Sequence, residues 1–168
     1  MAAIRFLLCI FCIVGFGRCW GAERNSIADG VLAIAKSQLH VREKTGKNDG
    51  VEVEAYLTYV GFKRGNPWCA AYVSWVFFKA GYPLPRTAWS PALFPAAKVV
   101  KEPKPGWVFG IYFPDLKRIG HCGLVEKLQG DFVMTLEGNT NLEGSREGQG
   151  VYRRLRHKRT INKYANWF

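Results

Sequence analysis

The stretch Asn66–Gly81, NPWCAAYVSWVFFKAG, reads as a helix that is apolar on nearly every face. Asn66 suits an N-cap, and Pro67 suits the first helical position, where its missing N–H has no intrahelical partner to lose. Gly81 supplies the stop. Such a helix has no face for water, so it belongs in the centre of the domain. Its single reactive side chain is Cys69, in the first turn.

On the N-terminal side the chain continues helical. Ser26 with Asp29 has the spacing of a capping box and opens a helix through Val31, Ile34, Ala35 and Leu39. Asp49 with Glu52 repeats the signal for a helix running to Val60, with Gly61 as its stop. Beyond Gly81 comes a loop containing Pro83, Pro85, Pro91 and Pro95, after which the periodicity changes. Residues 107–113, 120–128, 132–137 and 151–155 read as strands separated by Gly and Asp turns. Helices followed by strands imply an α+β domain, an antiparallel sheet packed on the central helix.

At the far N-terminus Arg5 precedes an apolar run, Phe6 to Phe16, too short to span a bilayer. With Cys19-Trp20-Gly21 behind it, residues 1–21 are expected to be a secretory signal peptide, leaving residues 22–168 as one catalytic domain of an exported protein. A buried N-terminal element and a lipid anchor at Cys19 are the alternatives. Of the five cysteines, Cys9, Cys12 and Cys19 lie in that segment. The remaining two, Cys69 and Cys122, are too few for a disulfide scaffold, although one bridge between them stays open.

The formal charge is +11 over 168 residues, with 48% hydrophobic and 14% aromatic residues, which excludes a disordered or fibrous chain. Basic residues concentrate in Arg153, Arg154, Arg156, Lys158, Arg159 and Lys163. They form either a solvated strand face or a surface for an anionic polymer or membrane. No aromatic residues interleave with them on a nucleic-acid-binding module, so no nucleic acid is expected.

A cysteine at a helix N-terminus has its thiolate favoured by unpaired N–H groups and the helix dipole, and the same amides can face an oxyanion. The competing reading is a buried structural cysteine. Of the three histidines, His121 follows Gly120 at the start of a strand, where the backbone is open. A hairpin through Gln129-Gly130-Asp131 would set Asn139 opposite His121 and Glu137 on the diagonal of the same face. Either could hold the imidazole with its other nitrogen toward the thiol. Cys122, next along the strand, should point to the opposite face. Trp68, Trp89 and Tyr72 are candidates to line a substrate cleft, or else belong to the core.

The segments NPWCAAYVSWVFFKAG, GHCGLVEK and LEGNT resemble, in that order, the CHAP family of cysteine- and histidine-dependent amidohydrolases and peptidases. The resemblance covers about residues 27 to 155. It implies a papain-like α+β fold and hydrolysis of amide bonds in bacterial peptidoglycan. Cys69 matches the nucleophile, His121 the base, and Glu137 and Asn139 the polar residues completing the site. Many relatives have Pro-Gly-Asp before the first strand, where this chain has Pro105-Gly106-Trp107. Some bind calcium before the cysteine; here the acids Asp49 and Glu52 are accounted for as helix caps, and no metal or other cofactor is expected. The partners implied are peptidoglycan or its stem peptides, with an anionic wall polymer or an inhibitor protein as further candidates, and the chain is expected to act as a monomer. A non-catalytic wall-binding module and a cysteine acyltransferase are the alternative functions.

Overall fold

A computed structural model describes residues 16–143 and 147–168, with the backbone alone described for 16–26. Among the described residues three α-helices precede the sheet: α1 (Phe16–Ser37), α2 (Val51–Tyr59) and α3 (Cys69–Lys79). Six strands follow: β1 (Val99–Val100), β2 (Val108–Phe113), β3 (Arg118–Gln129), β4 (Phe132–Thr140), β5 (Gly150–His157) and β6 (Lys163–Ala165). They make one antiparallel sheet in the order β1-β6-β2-β3-β4-β5. The α+β architecture with a central helix on an antiparallel sheet is therefore the observed one.

Helix boundaries differ from the expectation at their starts more than at their ends. Ser26 lies inside α1, whose backbone is already helical from Phe16. The expected signal segment falls largely outside the described residues. The Asp49–Glu52 capping box does not form either. Gly50 (φ 116°) is the cap of α2, while Asp49 accepts from the backbone N–H and hydroxyl of Thr45. Helix α3 starts at Cys69 rather than Pro67, and Asn66 donates its side-chain amide to the Lys63 carbonyl. At the other ends, Gly61 and Gly81 adopt positive φ and stop α2 and α3 as expected. In each case the glycine N–H and that of the next residue return to carbonyls of the last turn: Gly61 to Thr58 and Phe62 to Leu57, Gly81 to Phe78 and Tyr82 to Phe77.

Helix α3 is buried along most of its length. Tyr72, Val73, Val76 and Phe77 pack with Tyr56 and Leu57 of α2, Val31 and Ala35 of α1, and Leu124 and Leu136 of the sheet. A close approach to β4 is possible because Gly138 has no side chain. A Cβ there would lie 2.7 Å from the Trp68 ring and 2.8 Å from Tyr72 Cβ. The opposite face of the sheet has its own small cluster of Phe109, Val125, Val133, Ile161 and Tyr164. Strand β6, which inserts between β1 and β2, was not expected from sequence. It is three residues long and lies in the basic tail, so no periodicity marks it.

The β3–β4 hairpin sets the geometry of the site. Its loop holds two residues, Gly130 and Asp131, since Gln129 pairs with Phe132. That is one residue tighter than expected and alone would turn every β4 side chain to the wrong face. A β-bulge between Val125 and Lys127 restores the register, so that Leu124 faces Leu136. Continuing that register places Glu137 across from Gly123 and Asn139 across from His121.

Candidate active site

Cys69 is the first residue of α3, 4% exposed, and His121 on β3 is 1% exposed. Glu137 on β4 holds the imidazole through a 2.8 Å contact from Nε2 to Oε2. An ionised carboxylate only accepts, so Nε2 carries a proton and Nδ1 is left for other work. Nδ1 is buried, with no hydrogen-bond partner among the described residues. The Cys69 sulfur is near enough to raise the imidazole's proton affinity.

Glu137 is itself held from three sides. Thr135 Oγ1 donates to Oε1 at 2.5 Å, Arg156 Nε donates to Oε1 at 2.9 Å, and Arg156 Nη2 donates to Oε2 at 2.6 Å. Burial would push the carboxyl up, but Arg156 and His121 overcome it and hold it at about 2. Gly123 makes the arrangement possible, because a Cβ there would lie 2.7 Å from the Leu136 carbonyl oxygen and 3.0 Å from Glu137 Cγ.

Two more groups converge on the sulfur. Ser90, at the start of a short 3₁₀ turn (Ser90–Leu93), places its hydroxyl 3.3 Å from Cys69 Sγ, and the Cys122 thiol donates to the same hydroxyl at 3.9 Å. The two cysteines are free, so the bridge left open by the sequence is absent. Cys122 is buried in the helix-facing core as expected, yet it also reaches the site. Its thiol, followed by His121 and Ser90, holds Cys69 well below the usual thiol range against the effect of burial. Burial and the neighbouring Cys69 push Cys122 well above that range. For His121, burial acts downward, but Cys69 and Glu137 outweigh it and hold the imidazole up at about 9. The shifts act together toward a Cys69 thiolate beside a His121 imidazolium, with Glu137 favoured as the anion and Cys122 as the neutral thiol.

Residues 61–139 match the CHAP domain. That stretch contains Cys69, Ser90, His121, Cys122, Glu137 and Asn139, and the resemblance drawn from the sequence motifs is to the same family. Two solved chains are similar to this one at 17% identity: the crystal structure of Ly7917, with a TM-score of 0.48, and that of Ly7917 with the hydrolyzing product of MDP, with a TM-score of 0.46. Each covers 82% of this chain, which spans 60% and 61% of their lengths. No curated protein sequence matches the chain.

Within the matched segment, Asn139 stands apart from the imidazole. It sits in the left-handed region (φ 56°) at a bulge between β4 and β5. In the amide orientation that satisfies both of its ends, its oxygen accepts from the Trp68 N–H at 3.1 Å, and its nitrogen donates to the Gly148 carbonyl and Asn48 Oδ1. Opposite placement on the ladder did not bring it to His121, because the bulge turns the side chain toward the start of α3. Trp68 and Tyr72 are also away from the cleft. Both are fully buried, Trp68 donating from Nε1 to Glu43 and Tyr72 from its hydroxyl to the Ala35 carbonyl. Trp89 differs: it is 53% exposed and lines a cavity of about 200 Å³ that opens on Cys69.

Four groups at the site were not singled out from sequence. Ser90 and Thr135 are common residues without a motif, and for Cys122 the sequence offers a place in the core or a bridge to Cys69. Arg156 was counted with the basic strand face. Of that basic face, Arg153 pairs with Glu126 at 2.6 Å and Arg154 donates to the Leu142 carbonyl, so the β5 arginines are engaged within the fold.

Proposed function

We propose that the protein is an exported cysteine hydrolase that cleaves amide bonds in bacterial peptidoglycan. The observation that carries the reading is the meeting of Cys69, at the head of α3 with Ser90 3.3 Å from its sulfur, and a buried His121 held at 2.8 Å by Glu137. The CHAP match supports the same chemistry, and the apolar run after Arg5 supports export.

In this mechanism the Cys69 thiolate attacks the carbonyl carbon of the scissile amide. The oxygen that becomes negative lies at the N-terminus of α3, where backbone N–H groups have no intrahelical acceptor. The tetrahedral intermediate collapses, the C–N bond breaks, and the His121 imidazolium gives its proton to the leaving amine. Now neutral, His121 takes a proton from water as that water attacks the thioester. The acid is released, and the thiolate–imidazolium pair is restored. Glu137 keeps Nε2 protonated and stabilises the charged ring in every step in which it is charged.

Purified sacculi incubated with the protein, followed by mass spectrometry of the soluble fragments, test this function and identify the bond cleaved. The expected result is release of fragments with new amine and carboxyl ends, abolished in Cys69→Ser. Release at the wild-type rate by Cys69→Ser would overturn the assignment.

A further inference from the structure

The cavity beside Cys69 is walled by apolar groups, Phe62, Pro67, Ala88 and Trp89 among them. Among its described lining residues Arg118 is the only cationic side chain. The guanidinium carbon of Arg118 lies 4.1 Å from the centre of the Trp89 ring, and Nη1 donates to the Ile119 carbonyl at 3.0 Å. Stacking and one hydrogen bond fix the plane of the fork while leaving most of its N–H groups unspent.

Arg153 spends its fork on Glu126 and Arg156 spends its own on Glu137, whereas no carboxylate among the described residues pairs with Arg118. The placement of Arg118 also depends on a local irregularity. Ile111 pairs with His121 but Tyr112 pairs with Ile119, which leaves Gly120 as an extra residue on β3. The extra residue reverses the alternation of the strand. Ile119 thereby joins Cys122 in the core, and Arg118 falls on the side of His121 and the cavity.

We propose that Arg118 is a specificity-determining residue that selects amide substrates carrying a free carboxylate close to the scissile bond. The proposal rests on Cys69 being the nucleophile. The planar fork matches a carboxylate in a two-point contact, and apolar walls strengthen that contact by limiting water around it. Wall peptides that keep an unblocked carboxylate next to the cleaved amide have this chemistry, and peptides with that group amidated do not.

The test is alkylation of Cys69 by iodoacetate and by iodoacetamide, followed by mass spectrometry of the Cys69 peptide, in the wild type, Arg118→Gln and Arg118→Lys. The two reagents differ in carrying a carboxylate or a neutral amide. We expect the iodoacetate-to-iodoacetamide rate ratio to fall about tenfold or more in Arg118→Gln, the scale of one charge-assisted contact, and by less in Arg118→Lys. A fast Cys69 whose ratio is the same in all three proteins overturns the role of Arg118 alone. A wild-type Cys69 no faster than an ordinary thiol overturns the nucleophile assignment and the proposal with it. With peptide pairs that differ only in a free or amidated carboxylate, kcat/KM should favour the free acid in the wild type and lose that preference in Arg118→Gln.

Discussion

Glu137 Oε2 lies 2.8 Å from Nε2 of His121, and neither side chain is exposed beyond 1%. The contact joins a carboxylate held at about 2 to an imidazole held at about 9, so it is a charged pair across the whole neutral range. Glu137→Gln keeps the shape and removes the charge. It should lower kcat/KM by roughly 10²- to 10⁴-fold, the scale of a lost acid–base group, and shift the alkaline limb of the rate profile to lower pH. It also leaves Arg156 without its anion, which for a buried pair costs about 3–5 kcal/mol. Thermal unfolding of Glu137→Gln beside Arg156→Leu, which should be destabilised similarly, separates the two effects.

The pH dependence has two edges. Iodoacetamide reacts with the thiolate, so labelling of Cys69 should remain fast well below the ordinary thiol range. Amide hydrolysis also needs the His121 proton for the leaving amine, and should decline as pH rises through about 9. Stability follows the same groups. His121 is raised from 6.5 to about 9, so its contribution is full below 6.5 and is lost as pH rises through about 9. Glu137 is lowered from 4.5 to about 2, so its contribution is present above 4.5 and is lost as pH falls toward about 2. Urea midpoints measured from pH 2 to pH 10 should fall at both ends, and Glu137→Gln should flatten the alkaline fall.

Gly123 is where β3 yields space to the Glu137 side chain. Gly123→Ala forces the new methyl against the Leu136 carbonyl and Glu137 Cγ. Overpacking of this kind costs about 1–3 kcal/mol. The expected outcome is a lower Tm together with a drop in kcat/KM larger than the stability loss explains, because the carboxylate is pushed from His121. Normal activity with a lowered Tm would assign Gly123 to packing alone.

Asn139 contacts the backbone N–H of Trp68, the residue before Cys69, rather than the imidazole. Asn139→Ala removes the amide contacts and places a residue with a Cβ and no local hydrogen bond at φ 56°. It should be destabilised more than Asn139→Gly, which suits that backbone. Both should show reduced kcat with the alkaline edge near pH 9 unmoved, since the charged pair at His121 is untouched. A shifted edge in either variant would mean that Asn139 does reach the imidazole in solution.

Much of this site was legible in the chain. The run from Trp68 to Phe78 has no polar face, so it had to lie at the centre and carry Cys69 inward. Alternating strands with Gly-containing turns between them sufficed for an antiparallel sheet, and the spacing from His121 to Glu137 brought the two to one face. That last expectation rested on a three-residue loop. The chain instead uses a two-residue loop and a bulge at Glu126, and the two differences cancel. Loop length and bulges are set by local backbone geometry that many sequences share, so they leave little trace in composition.

Other features had no local sign. Trp68, Tyr72 and Trp89 are all aromatics near the nucleophile, but only contacts from Glu43, Ala35 and Arg118 separate two core residues from one cleft wall. Ser90, Cys122, Thr135 and Arg156 come from four different elements, and each is an ordinary residue in its own stretch. Cys69 at the head of a buried helix was determined by short-range pattern, because helix periodicity and capping act over a few residues. The lowering of its pKa was decided by the assembled fold. The thiol of Cys122, the hydroxyl of Ser90 and the Glu137-supported imidazole reach the sulfur only after strands and turns distant in sequence have packed together, and electrostatic shifts depend on that distance in space.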